Sequence, residues 1–216
     1  MLKEINNRKR ERAIMIIDNI KVYTESGKFI SGGIITQGDR IINVYADEEK
    51  EKIFEKLSIE RNLPIEEIQK EKVVNGNGAY AIPGLIDLHF HGCVGDDFCD
   101  ADKEAISRIA EYEASVGVTA IAPATMTLSV EELEDVLKTA AEYKKGIVNK
   151  NDEKKRADFV GINMEGPFIS PVKKGAQDER NIIPCNEEIA MRFLEVSDNL
   201  VKFMGIAPEE SKNTLT

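Results

Sequence analysis

The stretch 84–92, GLIDLHFHG, holds His89 and His91, the only two histidines among 216 residues, placed two positions apart at the end of an apolar run. On a strand, side chains at i and i+2 share a face, so this spacing predicts that both imidazoles project together while Leu88 and Phe90 point to an opposite, helix-covered side. Paired neutral imidazoles are a good donor set for zinc or iron(II). The spacing is equally compatible with two histidines hydrogen-bonded in a polar sheet end, so taken alone it leaves both readings open. A second segment bears on the choice. In FVGINMEGPF the period of two sets Phe159, Gly161, Asn163 and Glu165 on one face, and Val160, Ile162 and Met164 on the other. The second face is uniformly apolar, whereas the first turns polar toward its carboxyl end. Gly166 and Pro167 then close the strand, which delivers Glu165 to the carboxyl rim, where functional groups collect in parallel α/β folds. Two imidazoles and a carboxylate meeting on one rim would make a divalent-metal site.

Alternating strands and helices must position these groups. LIDLHFH, VTAIAPATM, DFVGINMEG and VKFMGIAPE read as four strands. Between them, DADKEAISRIAEYEASVG reads as a helix with Ile106, Ile109 and Ala110 on one face and Gly117 as its C-cap. SVEELEDVLKTAAEYKKG is a second helix, opened by a Ser129 to Glu132 capping box, and NEEIAMRFLEVSD is a third. Such alternation with apolar strands implies a parallel sheet covered by helices, an α/β fold. The preceding region differs. AIMIIDNIKVY and GGIITQGDRIINVY are β-branched runs separated by turn chemistry, which predicts a small antiparallel sheet. The charged run that follows carries Ile53, Phe54 and Leu57 at helical spacing and predicts an amphipathic surface helix or hairpin. The expected organisation is a small β domain over 1–81 with a charged helical insertion near 47–72, then an α/β domain over 82–216.

Composition excludes some partners. The net charge of −10 and pI near 4.9 argue against nucleic acid and anionic membrane, which would be repelled. No signal peptide and no membrane-spanning run is legible, and three cysteines without a CxxC pair fit free thiols, so a cytoplasmic location is expected. Cys93 continues the i, i+2 pattern from His91 and could offer a thiolate, but Gly92 is expected to end the strand, leaving a buried or free thiol. VGDDFCDAD reads as a polar loop with Asp102 as a helix cap, its spacing failing the calcium-loop pattern. Lys173 and Lys174 could attract a phosphate or simply be solvated.

At these residues a resemblance enters. PGLIDLHFHG together with MEGPFISPVKKGAQ and the later APE resembles the amidohydrolase superfamily and, within it, the N-acetylglucosamine-6-phosphate deacetylase family. The first motif indicates only the superfamily, which includes dihydroorotases; EGPF followed by KKGAQ is narrower. The resemblance implies that 82–216 is the N-terminal half of a metal-dependent (β/α)8 barrel, a partial TIM-type barrel of about four of eight strands, preceded by the small β domain. It implies a divalent metal ion, zinc, iron(II) or similar, with Glu165 as a direct ligand and His89 and His91 at an HxH position that binds a second metal in some members. Ala176 and Gln177 fall on a substrate-contacting loop, where many relatives carry histidine at the position of Gln177. The implied reaction removes acetate from the 2-acetamido group of a small amino-sugar phosphate. The family's general-base aspartate and two further metal-binding histidines lie on later strands, so the catalytic aspartate is expected beyond Thr216 and the chain alone is expected to be inactive. A non-catalytic truncated relative acting as a binding or assembly module is the alternative, as is another amidohydrolase of dihydroorotase-like type. An open parallel sheet leaves an unpaired edge, which predicts self-association or pairing with a C-terminal half.

Overall fold

The computed structural model describes residues 14–69, 72–148 and 155–210; residues 1–13, part of the segment read as lacking a secretion signal, fall outside them. The chain divides into two compact units, Met1–Pro83 and Gly84–Thr216. In the first, the β-branched runs form β1 (Ile14–Tyr23), β2 (Phe29–Gln37) and β3 (Arg40–Ala46), an antiparallel meander. The expected antiparallel sheet is in fact mixed, because β4 (Lys72–Asn75) and β5 (Tyr80–Ala81) both pair parallel with β1. Parallel pairing needs a long crossover, and the charged insertion supplies it. That insertion folds as α1 (Lys50–Arg61) and α2 (Ile65–Gln69). Phe54 and Leu57 of α1 are buried in one core with Ile14, Ile16, Ile35 and Tyr45, and Ile53 is partly covered, as helical spacing requires. The Tyr45 hydroxyl donates to Asp18 Oδ1 at 2.9 Å, and the other Asp18 oxygen pairs with Lys50. Burial works against the Asp18 charge, but the bonds from Lys50 and Tyr45 outweigh it and hold this carboxyl below its usual range.

The second unit alternates strand and helix. Its first strand segment is β6 (Leu85–Asp87), followed by a tight hairpin of β7 (Gly92–Cys93) and β8 (Asp96–Asp97). The second segment comprises β9 (Val118–Ile121) and β10 (Ala124–Thr125), interrupted at Pro123, which has no N–H to give a ladder. The third comprises β11 (Asp158–Phe159) and β12 (Ile162–Met164), and the fourth is β13 (Val201–Met204). All pair parallel, in the orders β11-β9-β6 and β10-β12-β13. The helices between them are α3 (Lys103–Ser115), α4 (Val130–Val148) and α5 (Glu187–Val196). Asp102 caps α3 by accepting from Glu104 N. Ser129 and Glu132 exchange bonds at the start of α4, as the capping box requires. Ile106, Ile109 and Ala110 are buried, and no helix among the described residues is long and apolar enough to cross a membrane.

Two strand-face expectations fail here. β6 ends at Asp87, so Leu88 is 43% exposed, and only Phe90 packs on the apolar core. Phe159 is buried with Ile162 and Met164, the face opposite to the one expected, while Val160 is exposed. Val160 and Gly161 lie outside both strands, and a break of two residues resets the period. Phe159 is fully buried, its ring 6.1 Å from that of Phe98 and 5.9 Å from that of Tyr143. Phe159→Ala is therefore expected to destabilise the unit by about 3–5 kcal/mol, read as a lower urea midpoint.

Candidate metal centre

His89 and His91 follow β6, and main-chain bonds from Ala122 N to Asp87 O and from Ala124 N to Phe90 O hold this segment alongside the second strand. Glu165 follows β12 directly. The three side chains converge: Glu165 Oε2 lies 3.1 Å from His91 Nε2 and 3.5 Å from His89 Nε2, and one donor atom from each falls within 4.8 Å of the others. The imidazole rings are nearly perpendicular, with centroids 5.4 Å apart. Glu165 Oε2 is buried, yet makes no aligned hydrogen bond among the described residues, and the same holds for His91 Nδ1. Two donors each 2.0–2.1 Å from a zinc ion at a tetrahedral angle stand roughly 3.3 Å apart. A buried carboxylate oxygen, orphaned between two imidazole nitrogens at close to that spacing, fits a divalent ion.

The surroundings constrain each group. Glu165 is followed by Gly166, where a Cβ would lie 2.0 Å from Thr127 Oγ1, so the turn that aims the carboxylate needs glycine. Asn163, two residues earlier, donates from Nδ2 to Leu88 O at 2.8 Å, and the same nitrogen lies 3.2 Å from His89 Nδ1. Asp87 Oδ1 accepts from His89 N, two residues further along the chain, at 3.0 Å.

The other expected site residues are placed differently. Ala176 is exposed, whereas Gln177 is buried, its Oε1 accepting from Thr127 N at 2.6 Å. Asn181 Nδ2 also donates to Thr127 O, so the loop after Glu165 is braced on the segment after β10. Lys174 Nζ donates to Gln177 O, and Lys173 is exposed. Alternation placed Asn163 on the face of Glu165, but its bond to the His89 segment had no signal in the sequence, and neither did the role of Thr127. Cys93 stands apart from the three-residue cluster: burial and the neighbouring Glu113 carboxyl push its thiol up to about 11. A thiolate is thereby disfavoured, and Cys93→Ser is expected to leave zinc affinity unchanged in competition with a chromogenic chelator.

No protein-family model matches the chain. Among curated proteins it is similar to the N-acetylglucosamine-6-phosphate deacetylase of Bacillus subtilis, 30% identical over 180 residues, covering 83% of this chain and 44% of that protein. The Vibrio furnissii protein of the same name is 31% identical over 130 residues, covering 60% of this chain and 31% of its own length. The chain thus spans less than half the length of these relatives. Among solved structures, the Pasteurella multocida deacetylase superposes with a TM-score of 0.71 at 22% identity, covering 91% of this chain and 45% of that one. The Mycobacterium smegmatis enzyme, solved as a mutant in complex with N-acetyl-D-glucosamine-6-phosphate, gives 0.69 at 21% identity over 92% and 44%. In sequence and in α/β fold, this chain is similar to the N-terminal portion of the N-acetylglucosamine-6-phosphate deacetylases.

Proposed function

We propose that this chain contributes the first half of a metal-dependent (β/α)8 barrel that removes the acetyl group of N-acetylglucosamine 6-phosphate, releasing acetate and glucosamine 6-phosphate. The observation that carries the reading is the orphaned Glu165 Oε2 between the Nε2 atoms of His89 and His91. These three residues would hold the ion, zinc or iron(II). When bound, such an ion supplies Lewis acidity, lowering the pKa of water toward about 7 and polarising an amide carbonyl. The chain's own residues position and orient. Glu165 brings negative charge to the rim, and Thr127 against Gly166 fixes the turn behind it. Gln177 braces the following loop through Thr127 N, so that Ala176, exposed on that loop, and the Gln177 main chain would line the substrate wall. The proton-transferring aspartate would come from sequence outside these 216 residues.

The barrel reading gains support from the strand edges. Among the described residues β6 and β13 each have a partner strand on one side only, and Leu85, Ile86 and Phe203 are 55%, 62% and 45% exposed. Four further strands, from a second half or a second copy, would cover them. The three cysteines are free, consistent with a cytoplasmic enzyme acting on a small amino-sugar phosphate. The test supplies the second half of a deacetylase barrel in cis or in trans and assays acetamido sugar phosphates against cyclic amides. Acetate release from N-acetylglucosamine 6-phosphate, lost on chelation and in Glu165→Ala, supports the proposal. Preference for cyclic amides, or acetate release indifferent to Glu165→Ala, overturns it.

A further inference from the structure

We infer that Asn163 holds His89 in the tautomer that carries its proton on Nε2, which makes His91 and Glu165 the leading metal ligands and His89 a conditional one. The ranking of ligands rests on the metal reading above; the tautomer assignment does not.

The argument starts from the Asn163 amide. Its Nδ2 has two N–H bonds and faces two atoms able to accept, Leu88 O at 2.8 Å and His89 Nδ1 at 3.2 Å. A carbonyl oxygen can only accept. Turning the amide over would set Oδ1 against Leu88 O, two acceptors at hydrogen-bond distance, so the Leu88 carbonyl decides which end of Asn163 faces this corner. With Nδ2 toward the ring, His89 Nδ1 must accept. A neutral imidazole whose Nδ1 accepts has its proton on Nε2. Both partners are tied to the framework. Asn163 N donates to Pro123 O at 3.0 Å and stands in register between Ala124 and Phe203, while His89 N is held by Asp87 Oδ1.

The consequence for a metal is asymmetric. A histidine ligates through a lone pair and normally donates its other ring N–H to an acceptor. For His89 to ligate through Nε2, its proton must move to Nδ1, where it meets the Asn163 N–H unless the amide turns and abandons Leu88 O. His91 faces no such opposition: its buried Nδ1 has no hydrogen-bond partner among the described residues, and its Nε2 is the nearer to Glu165, at 3.1 Å. The His89 side chain is also more exposed, 55% against 31%. Asn163 thus acts through His89 as a positioning residue that sets which imidazole is ready to bind.

Two histidines make the test direct. In the metal-free chain with 15N-labelled histidine, long-range 15N–1H correlation at a pH where the rings are neutral reads each tautomer, and His91→Gln assigns the His89 signals. The expected result is an Nε2–H tautomer for His89. Asn163→Asp offers only acceptors and should switch it to Nδ1–H; Asn163→Leu should give a mixture. In zinc competition, His91→Ala should weaken binding by about 10- to 100-fold and His89→Ala by clearly less. In the Asn163→Asp background zinc should bind about tenfold tighter, and His89→Ala should then match His91→Ala. An Nδ1–H tautomer for His89 in the wild-type chain overturns the inference, and so does an unchanged tautomer in Asn163→Asp. Should neither variant fold, the wild-type spectrum decides alone. A chain with the expected tautomers that takes up no zinc supports the Asn163 assignment and counts against the metal reading.

Discussion

Replacing Glu165 with glutamine is expected to lower the zinc affinity of the chain by more than about tenfold, and adding His89→Ala and His91→Ala to abolish saturable uptake. Glutamine keeps the shape of the side chain and removes its charge. A unit-charge pair 4 Å apart near a protein surface is already worth about 4 kcal/mol, so losing a carboxylate beside a divalent ion exceeds the 1.4 kcal/mol that corresponds to tenfold. Binding by the wild-type chain should itself be weak. Zinc sites with strong affinity combine three or four ligands with hydrogen-bonded outer partners, and here His91 Nδ1 is orphaned and His89 Nδ1 faces an amide donor. A thermal readout checks the same point without an indicator dye. Zinc at about one hundred times its dissociation constant stabilises the folded state by about 2.7 kcal/mol, which for a chain of this size shifts Tm by roughly 5–10 °C. Equal zinc uptake and an equal Tm shift in the triple variant would show that the three residues do not form the site.

The convergence of His89, His91 and Glu165 was legible from local signals, the HxH spacing and the Gly-Pro stop after the carboxylate, although the two histidines lie beyond the end of β6 and not on a strand as expected. Caps were legible for the same reason, since the Ser129 to Glu132 exchange closes within one turn. What escaped was non-local or irregular. The parallel pairing of β4 with β1 joins residues more than fifty positions apart, and nothing in the short VVN run names its partner. The exposed Leu88 and the buried Phe159 both follow from strands that end or break earlier than the apolar pattern suggests, so a period extrapolated across the break lands on the wrong face. The use of Gln177 to hold Thr127 N spans 50 positions, and the Asn163 contact with Leu88 O spans 75. A polar residue on a functional rim can be recognised from sequence, but the direction of its amide is set by whichever carbonyl the fold brings against it.

The second large effect expected is on catalysis: the 216-residue chain by itself should release no measurable acetate from N-acetylglucosamine 6-phosphate, with or without added zinc. Amide hydrolysis needs an ion held firmly enough to activate water and a positioned group to move the proton to the leaving nitrogen. General acid–base assistance alone contributes about 10²- to 10⁴-fold, and removing one member of a catalytic unit tends to forfeit most of the effect of the whole. Two further carboxylates near the histidine segment are already engaged. Asp87 Oδ1 accepts from His89 N, and Glu113 sits beside the Cys93 thiol, where burial first and the Asp87 charge second push its carboxyl above the usual range. A raised carboxyl can in principle carry a proton, but this one is buried on α3 and stands outside the His89, His91 and Glu165 cluster. Asn163 and Gln177 do not titrate, and the two histidines are the only ones in the chain. On the reading proposed above, the proton-moving group would come from a second half-barrel, whether joined to this chain or docked onto β6 and β13. Acetate should appear when such a half is supplied, and Glu165→Ala should then remove it. Metal-dependent turnover by the purified 216-residue chain, lost in Glu165→Ala, would mean that a group already within these residues moves the proton, with Glu113 the first to replace.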